Sequence, residues 1–257
     1  MANTTSRYAF ELDIKNKLQR EGDYDLVPRS TRFEGEPLRL TAKQICDVLA
    51  PIITDIRRER IESVINERTF NVAVVAEGLC DMGNINAVLR SAESFGFLPI
   101  HILERDAQKY KRSERVSKGS EKWLDIHRSY DNVGSLKALK AQGYQIVATA
   151  LEDAIPMEQV DFSKPTAVIL GNEKDGVSDE ALALSDVRAI IPTTGFTQSF
   201  NISVAASIVL YHVHQERRKQ LGKSGDLTES EKDQIRAQYY LRTLDSAEQI
   251  LRAHFQK

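Results

Sequence analysis

Apolar positions along this chain change their period near residue 70. Before that point the spacing is helical: Phe10, Ile14 and Leu18 recur every four residues and predict one face of a helix. Thr41 and Gln44 have the spacing of a capping box, which predicts a helix carrying Ile45, Val48, Leu49 and Ile52, with Pro51 as a kink. Ile56, Ile61, Val64 and Ile65 extend the helical reading to about Arg68. From residue 71 short β-rich runs take over, at Val72–Ala76, Ile100–Leu103, Ile146–Ala150, Ala167–Leu170 and Ala189–Ile191. Runs that are apolar on both faces predict central strands of a parallel sheet covered by helices. Helical patterns fall between them, at about 84–95, 134–142 and 178–185, so residues 71–215 read as an α/β domain. A strongly apolar helix follows from Ile202 to Gln215 and turns basic. Gly222, Ser224 and Gly225 mark a break, and 228–256 reads as one charged helix with Tyr239, Tyr240, Leu241, Leu244, Ile250, Leu251 and Phe255 on its apolar side.

Composition narrows the class. The chain has 257 residues, 41% hydrophobic and 28% charged, which is ordinary for a globular protein. No apolar run is long enough to cross a bilayer, and the N-terminus lacks the basic-then-apolar profile of a secretory signal. The expected location is the cytoplasm, with no membrane partner. Cys46 and Cys80 form no CxxC pair, and no His/Cys cluster has zinc-ligand spacing, so no metal is expected. Both cysteines read as small buried apolar residues.

A net charge of −2 does not mark a nucleic-acid binder, but the distribution is uneven. Arg105, Lys109, Lys111, Arg112, Arg115, Lys118 and Lys122 form one cluster; Arg217, Arg218, Lys219 and Lys223 form another. Each reads equally as a phosphate-neutralising patch or as a solvated face. No two glycines are separated by a single residue, so the GxGxxG dinucleotide fingerprint is absent. Gly171 and Gly176 have the glycine spacing of a P-loop, yet Val177 and Ser178 stand where its Lys and hydroxyl belong.

Three segments carry the candidate chemistry. The first, Glu77 to Glu93, leaves a buried strand through a glycine-bearing loop and enters a helix, with Asn84 near its start and Arg90 six residues on. The second, Leu170-Gly171-Asn172-Glu173-Lys174-Asp175-Gly176-Val177-Ser178, is a strand end, a tight loop and a helix N-cap. Loops at the carboxyl ends of parallel strands are where α/β proteins place ligands, and Gly171 would let one approach the backbone. The third, Ile191 to Ala206, is a hydroxyl-rich loop leading into a small-residue helix. Taken singly, each reads equally as a surface ion pair, a plain turn or an empty N-cap.

In this order and spacing the three segments resemble the motifs of the SpoU branch of the SPOUT methyltransferases: Asn-x5-Arg, Leu-Gly-Asn-Glu-x-x-Gly, and Ile-Pro followed by Ser-x-Asn. The likeness covers about residues 60–216 and is strongest to the TrmH-type tRNA guanosine 2′-O-methyltransferases, including Ser117 to Trp123 and the helical tail. Phe200 departs from the family's usual Leu, and Thr193-Thr194 stands where Met is common.

The resemblance implies an α/β fold, a mostly parallel sheet with helices on both faces and a C-terminal deep trefoil knot. Residues 1–70 and 222–257 would be helical extensions of a methyltransferase domain at 71–221. It further implies a homodimer, S-adenosyl-L-methionine as cofactor, and RNA as partner, specifically a D-loop guanosine of tRNA. Cofactor contacts would come from Thr149, Gly171, Ile191 and Phe200. The catalytic set would be Arg90, Asn84, Glu173, Ser199 and Asn201, with Arg90 fixing a phosphate and stabilising developing negative charge, and Glu173 orienting Arg90 or the cofactor. A ribosomal RNA substrate, or a non-catalytic RNA-binding protein that kept the fold, are the rival readings.

Overall fold

The computed structural model of the chain describes residues 18–26, 38–104, 119–197 and 199–256. Its contacts divide it into two compact units, residues 69–226 and a second formed by 1–68 with 227–257.

In the larger unit, β3 (Val72–Glu77) pairs with β4 (Pro99–Leu103) and β8 (Thr166–Leu170). The seven-stranded sheet is completed by β5 (Asp125–Ser129), β6 (Gln145–Thr149), β7 (Ile155–Pro156) and β9 (Val187–Ile190), in the order β5-β4-β3-β8-β6-β9-β7. Every pairing is parallel. All the carboxyl ends therefore lie along one edge.

Side chains alternate across the sheet, and each face has its own helices. Val72, Val74, Ala76, Val168 and Leu170 pack with Val88 and Leu89 of α3 (Met82–Ser94) and Val209 and Leu210 of α6 (Ile202–Leu221). Ala73, Val75, Ala167 and Ile169 pack with Leu136 and Leu139 of α4 (Asn132–Ala141) and Ala181 of α5 (Asp179–Leu184). The five strands expected from apolar runs are all present. The sequence reading missed β5 and β7: β5 alternates apolar with His127 and Arg128 because it is an edge strand, and β7 is only two residues long.

The expected close packing of the small residues of α6 is realised against α3. Ser207 Oγ lies 2.9 Å from Ser91 Oγ and also donates to the Ser203 carbonyl at 2.9 Å. Gly222 ends α6 in the left-handed region (φ 70°). Arg217 corrects one expectation. It is buried, donates to the carbonyls of Phe162 (2.7 Å) and Lys164 (3.1 Å), and pairs with Asp226 at 2.8 Å. It is a strut between α6 and two neighbouring loops and is not available to a phosphate.

The smaller unit holds the hairpin β1 (Tyr24–Leu26) and β2 (Leu38–Leu40), with α1 (Ala42–Leu49), α2 (Asp55–Ile65), α7 (Glu229–Thr243) and α8 (Ala247–Phe255). The capping box at Thr41 and Gln44 forms as read, and Pro51 opens a single 3-10 turn between α1 and α2. Ile61 and Ile65 are buried, whereas Ile56 is exposed and does not belong to the apolar face assigned to it. The single helix expected over 228–256 is two, interrupted at Leu244–Ser246 with no glycine or proline to announce it. The helix read around Phe10 and Ile14, and all of the first basic cluster except Lys122, lie outside the described residues; Lys122 stacks over the Trp123 ring. Neither cysteine is fully buried: Cys80 is exposed and Cys46 half-buried. Burial still pushes the Cys46 thiol up to about 12, which leaves it protonated and unreactive at neutral pH.

Candidate functional site

Three loops leave the carboxyl edge of the sheet where the sequence segments ended. The first follows β3. Gly78 takes a left-handed conformation (φ 68°) and donates to Leu103 O at 2.8 Å, turning the chain toward α3. Asp81 caps that helix by accepting from the Asn84 backbone N–H at 3.0 Å.

The second loop follows β8 and folds back on itself. Asn172 and Gly176 exchange backbone hydrogen bonds of 3.1 and 2.9 Å, closed by Gly176 at φ 69°. The Asn172 side-chain oxygen accepts from Lys174 N (2.7 Å) and Asp175 N (3.2 Å). Gly171 has its reason here. A Cβ on it would sit 2.3 Å from Gly176 C and Val177 N, so the returning loop occupies the space a side chain would need. The sequence reading gave that space to a ligand.

Side chains lock these two loops together. Asn84 Nδ2 donates to the Glu173 carboxylate. Asn172 Nδ2 donates to Gly78 O at 2.8 Å. Glu77, fully buried at the end of β3, accepts from Ser178 N at 2.9 Å and Ser178 Oγ at 2.5 Å, while Ser178 Oγ caps α5 through Ala181 N. A buried carboxylate is costly without donors, and these bonds supply them. Glu77 and Asn172 were absent from the sequence-derived site set. The signal for Glu77 was present: a carboxylate closes a strand that is otherwise entirely apolar.

Thr149 ends β6 beside β8, with Oγ1 donating to Ile169 O at 2.9 Å. Ile191 follows β9 and is half-buried against the core. Beyond it, Thr193–Thr197 make no backbone hydrogen bond with another described residue, so their amides and carbonyls are free for a ligand. Ser199, Phe200 and Asn201 are exposed; Asn201 caps α6 through Ser203 N at 2.9 Å.

The structure thus joins Asn84 to Glu173 directly and sets Gly171, Thr149 and Ile191 at the ends of the adjacent strands β8, β6 and β9. No hydrogen bond among the described residues joins Arg90 to them. Arg90 is exposed and has no hydrogen-bond or ion-pair partner among the described residues. It lies six residues beyond Asn84, about 9 Å further along α3, next to Ser91 at the α3–α6 contact.

Comparison with known proteins follows the same outline. A model of the SpoU rRNA Methylase family matches residues 71–211. The chain is similar to the tRNA (guanosine(18)-2′-O)-methyltransferase of Borreliella burgdorferi, 36% identical over 196 residues that cover 75% of this chain and 88% of that protein. Its counterpart from Thermus thermophilus is 40% identical over 167 residues, covering 65% of this chain and 86% of that one. Among solved structures, the A. aeolicus TrmH/SpoU tRNA modifying enzyme superposes with a TM-score of 0.66 at 31% identity, covering 74% of this chain and 98% of that chain. An AdoMet-bound rRNA methyltransferase from Sinorhizobium meliloti gives a TM-score of 0.52 at 26% identity, covering 58% and 56%.

Proposed function

This chain belongs to the SpoU rRNA Methylase family, and on that premise we propose that it methylates a ribose 2′-hydroxyl of tRNA, at a guanosine, using S-adenosyl-L-methionine. The observation that carries the reading is the bond from Asn84 to Glu173, which ties the first two family motifs into one block at the carboxyl edge of the sheet. Methyltransferase chemistry is assigned to residues 71–221, with 1–70 and 222–257 as flanking extensions. Relatives named for guanosine 18 of tRNA favour tRNA over ribosomal RNA.

The residues present fit the cofactor. Strand ends at Thr149, Gly171 and Ile191, the free backbone groups of 193–197 and the exposed ring of Phe200 form a mainly uncharged set of donors, acceptors and apolar surface. Such a set suits an adenine and a ribose. When bound, the cofactor supplies a methyl group on a sulfonium, open to in-line attack by a hydroxyl oxygen.

A 2′-hydroxyl is a weak nucleophile, so its proton must leave and its developing charge must be met. A guanidinium is a fixed positive charge with five donors and no acceptor, so Arg90 serves as an electrostatic clamp on the attacking oxygen and the neighbouring phosphate, and the phosphate oxygen takes the proton. Glu173 spends one acceptor on Asn84 and so holds the second loop in register with the first. Asn201 caps α6 through Ser203 N and so sets the third loop at the start of that helix, with Ser199 two residues before Asn201.

Arg90 acts in the site of a partner copy. Its lack of a partner within the described residues supports this, as does the outer face of α6, where Phe200, Val204, Ile208 and Tyr211 are exposed at helical spacing. A homodimer covers that stripe. The C-terminal trefoil knot is proposed from membership of the SpoU family. Among the described residues no helix is long and apolar enough to cross a membrane, and a tRNA substrate supports a cytoplasmic location.

The test is incubation with methyl-labelled cofactor and separated RNA pools. Label is expected in tRNA, recovered as 2′-O-methylguanosine after nuclease digestion. Label confined to ribosomal RNA, or absent from both, would contradict the reading.

A further inference from the structure

Glu104 lies one residue beyond β4, on the same carboxyl edge as the loops of the site, and is buried to 8% exposure. Its carboxylate meets Arg128 Nη1 at 3.2 Å, and its negative charge beside Tyr130 raises that phenol above its ordinary range. Both partners project into solvent: the Arg128 side chain is 44% exposed and Tyr130 is 64% exposed. The backbone beneath them is fixed. Glu104 N donates to Ser129 O at 2.9 Å, Asp131 N donates to Ser129 Oγ at 3.0 Å, and Asp131 caps α4 through Gly134 N at 2.8 Å.

A surface ion pair of this exposure contributes little to stability. The arrangement does something else. One buried carboxylate holds Arg128 in place beside the exposed ring of Tyr130 two residues on, so part of the guanidinium's rotamer freedom is already lost before any ligand arrives. Arg128 spends one guanidinium nitrogen on Glu104, and among the described residues its other donors have no acceptor. A rigid aromatic face beside a cation with free donors suits an unpaired nucleotide: the ring for a base, the guanidinium for a phosphate. Position agrees. β5 stands two strands from β3, about 10 Å along the edge from the loop that carries Asn84. The chain leaving Glu104 also carries Arg105, Lys109, Lys111 and Arg112 in its sequence.

We propose that Arg128 and Tyr130 form a nucleotide subsite for the RNA substrate, in which Tyr130 stacks on an unpaired base near the methylated residue and Arg128 takes an adjoining phosphate. The subsite rests on the RNA methyltransferase reading above and adds to it where the substrate runs. Glu104 is a positioning residue.

Steady-state kinetics on a tRNA transcript test it, together with calorimetric titration of S-adenosyl-L-methionine. Tyr130→Leu should raise KM for RNA at least about five-fold while kcat and cofactor affinity hold, and Tyr130→Phe, which keeps the stacking ring and loses the hydroxyl, should raise it by less. Arg128→Gln should flatten the salt dependence of RNA binding by roughly one phosphate contact. A Tyr130→Leu enzyme with unchanged KM, against an active wild type, overturns the subsite alone. A wild type that transfers no methyl group to RNA overturns the parent reading and the subsite with it.

Discussion

Gly171 is required by its own loop before any ligand is considered. The backbone of Gly176 and Val177 returns across the position its Cβ would occupy, 2.3 Å away, and backbone cannot step aside as a flexible side chain can. Gly171→Ala should therefore displace the 172–177 loop, destabilise the protein by about 1–3 kcal/mol and weaken the Asn84–Glu173 contact. Chemical denaturation and calorimetric titration of the cofactor measure the two effects; a variant with wild-type stability and affinity would refute this packing account. At the residue scale the sequence offers candidates where a motif names them and is silent where a partner far along the chain supplies the reason. Asn84 and Glu173 were legible as site residues, but their mutual bond spans 89 positions and leaves no local pattern. Arg217 looked like one of a run of surface cations, and only its acceptors at Phe162, Lys164 and Asp226 reveal that it is inside.

Among the elements, α6 has the most divided role. One side packs on α3 through Ala206, Val209 and the Ser91–Ser207 contact, its start is capped by Asn201, and its far end is held by Arg217. The opposite side leaves Val204, Ile208 and Tyr211 exposed at 46%, 37% and 53%. Apolar residues at that spacing are expected to be covered. The proposed homodimer should sediment as a monomer in Ile208→Glu without loss of monomer stability, and a dimer that survives the substitution would show that another face mediates assembly. At this scale the sequence was most informative for continuous apolar runs: β3, β8 and β6 are buried on both sides and could be read directly. It was least informative at β5, where Ile126 is the only apolar residue of the strand and the polar pattern resembles a loop. The break at Leu244–Ser246 between α7 and α8 was equally hidden, since the flanking apolar positions keep helical spacing across it.

Across the whole sheet, charge and protonation bear on stability. His101 of β4 stacks on His127 of β5 with ring centroids 4.9 Å apart, and His127 bonds Asp125 at 2.9 Å. Burial, then the neighbouring His127, push His101 down to about 4, while Asp125 pulls the other way. An unfolded chain binds a proton at this imidazole below about 6.5, and the folded chain binds it only near 4, so folding is disfavoured increasingly as pH falls between those values. Urea denaturation at pH 7 and pH 5 should show a loss of stability in wild type that is smaller in His101→Phe; an equal loss in both would assign the effect to other groups.

Arg90 is the charged motif residue for which no hydrogen bond or ion pair is seen among the described residues. Methyl transfer to tRNA by wild type and by Arg90→Ala, measured beside calorimetric binding of S-adenosyl-L-methionine, tests its role most directly. Turnover should fall by at least about 100-fold while cofactor affinity is unchanged. Near-normal turnover in Arg90→Ala would contradict the account.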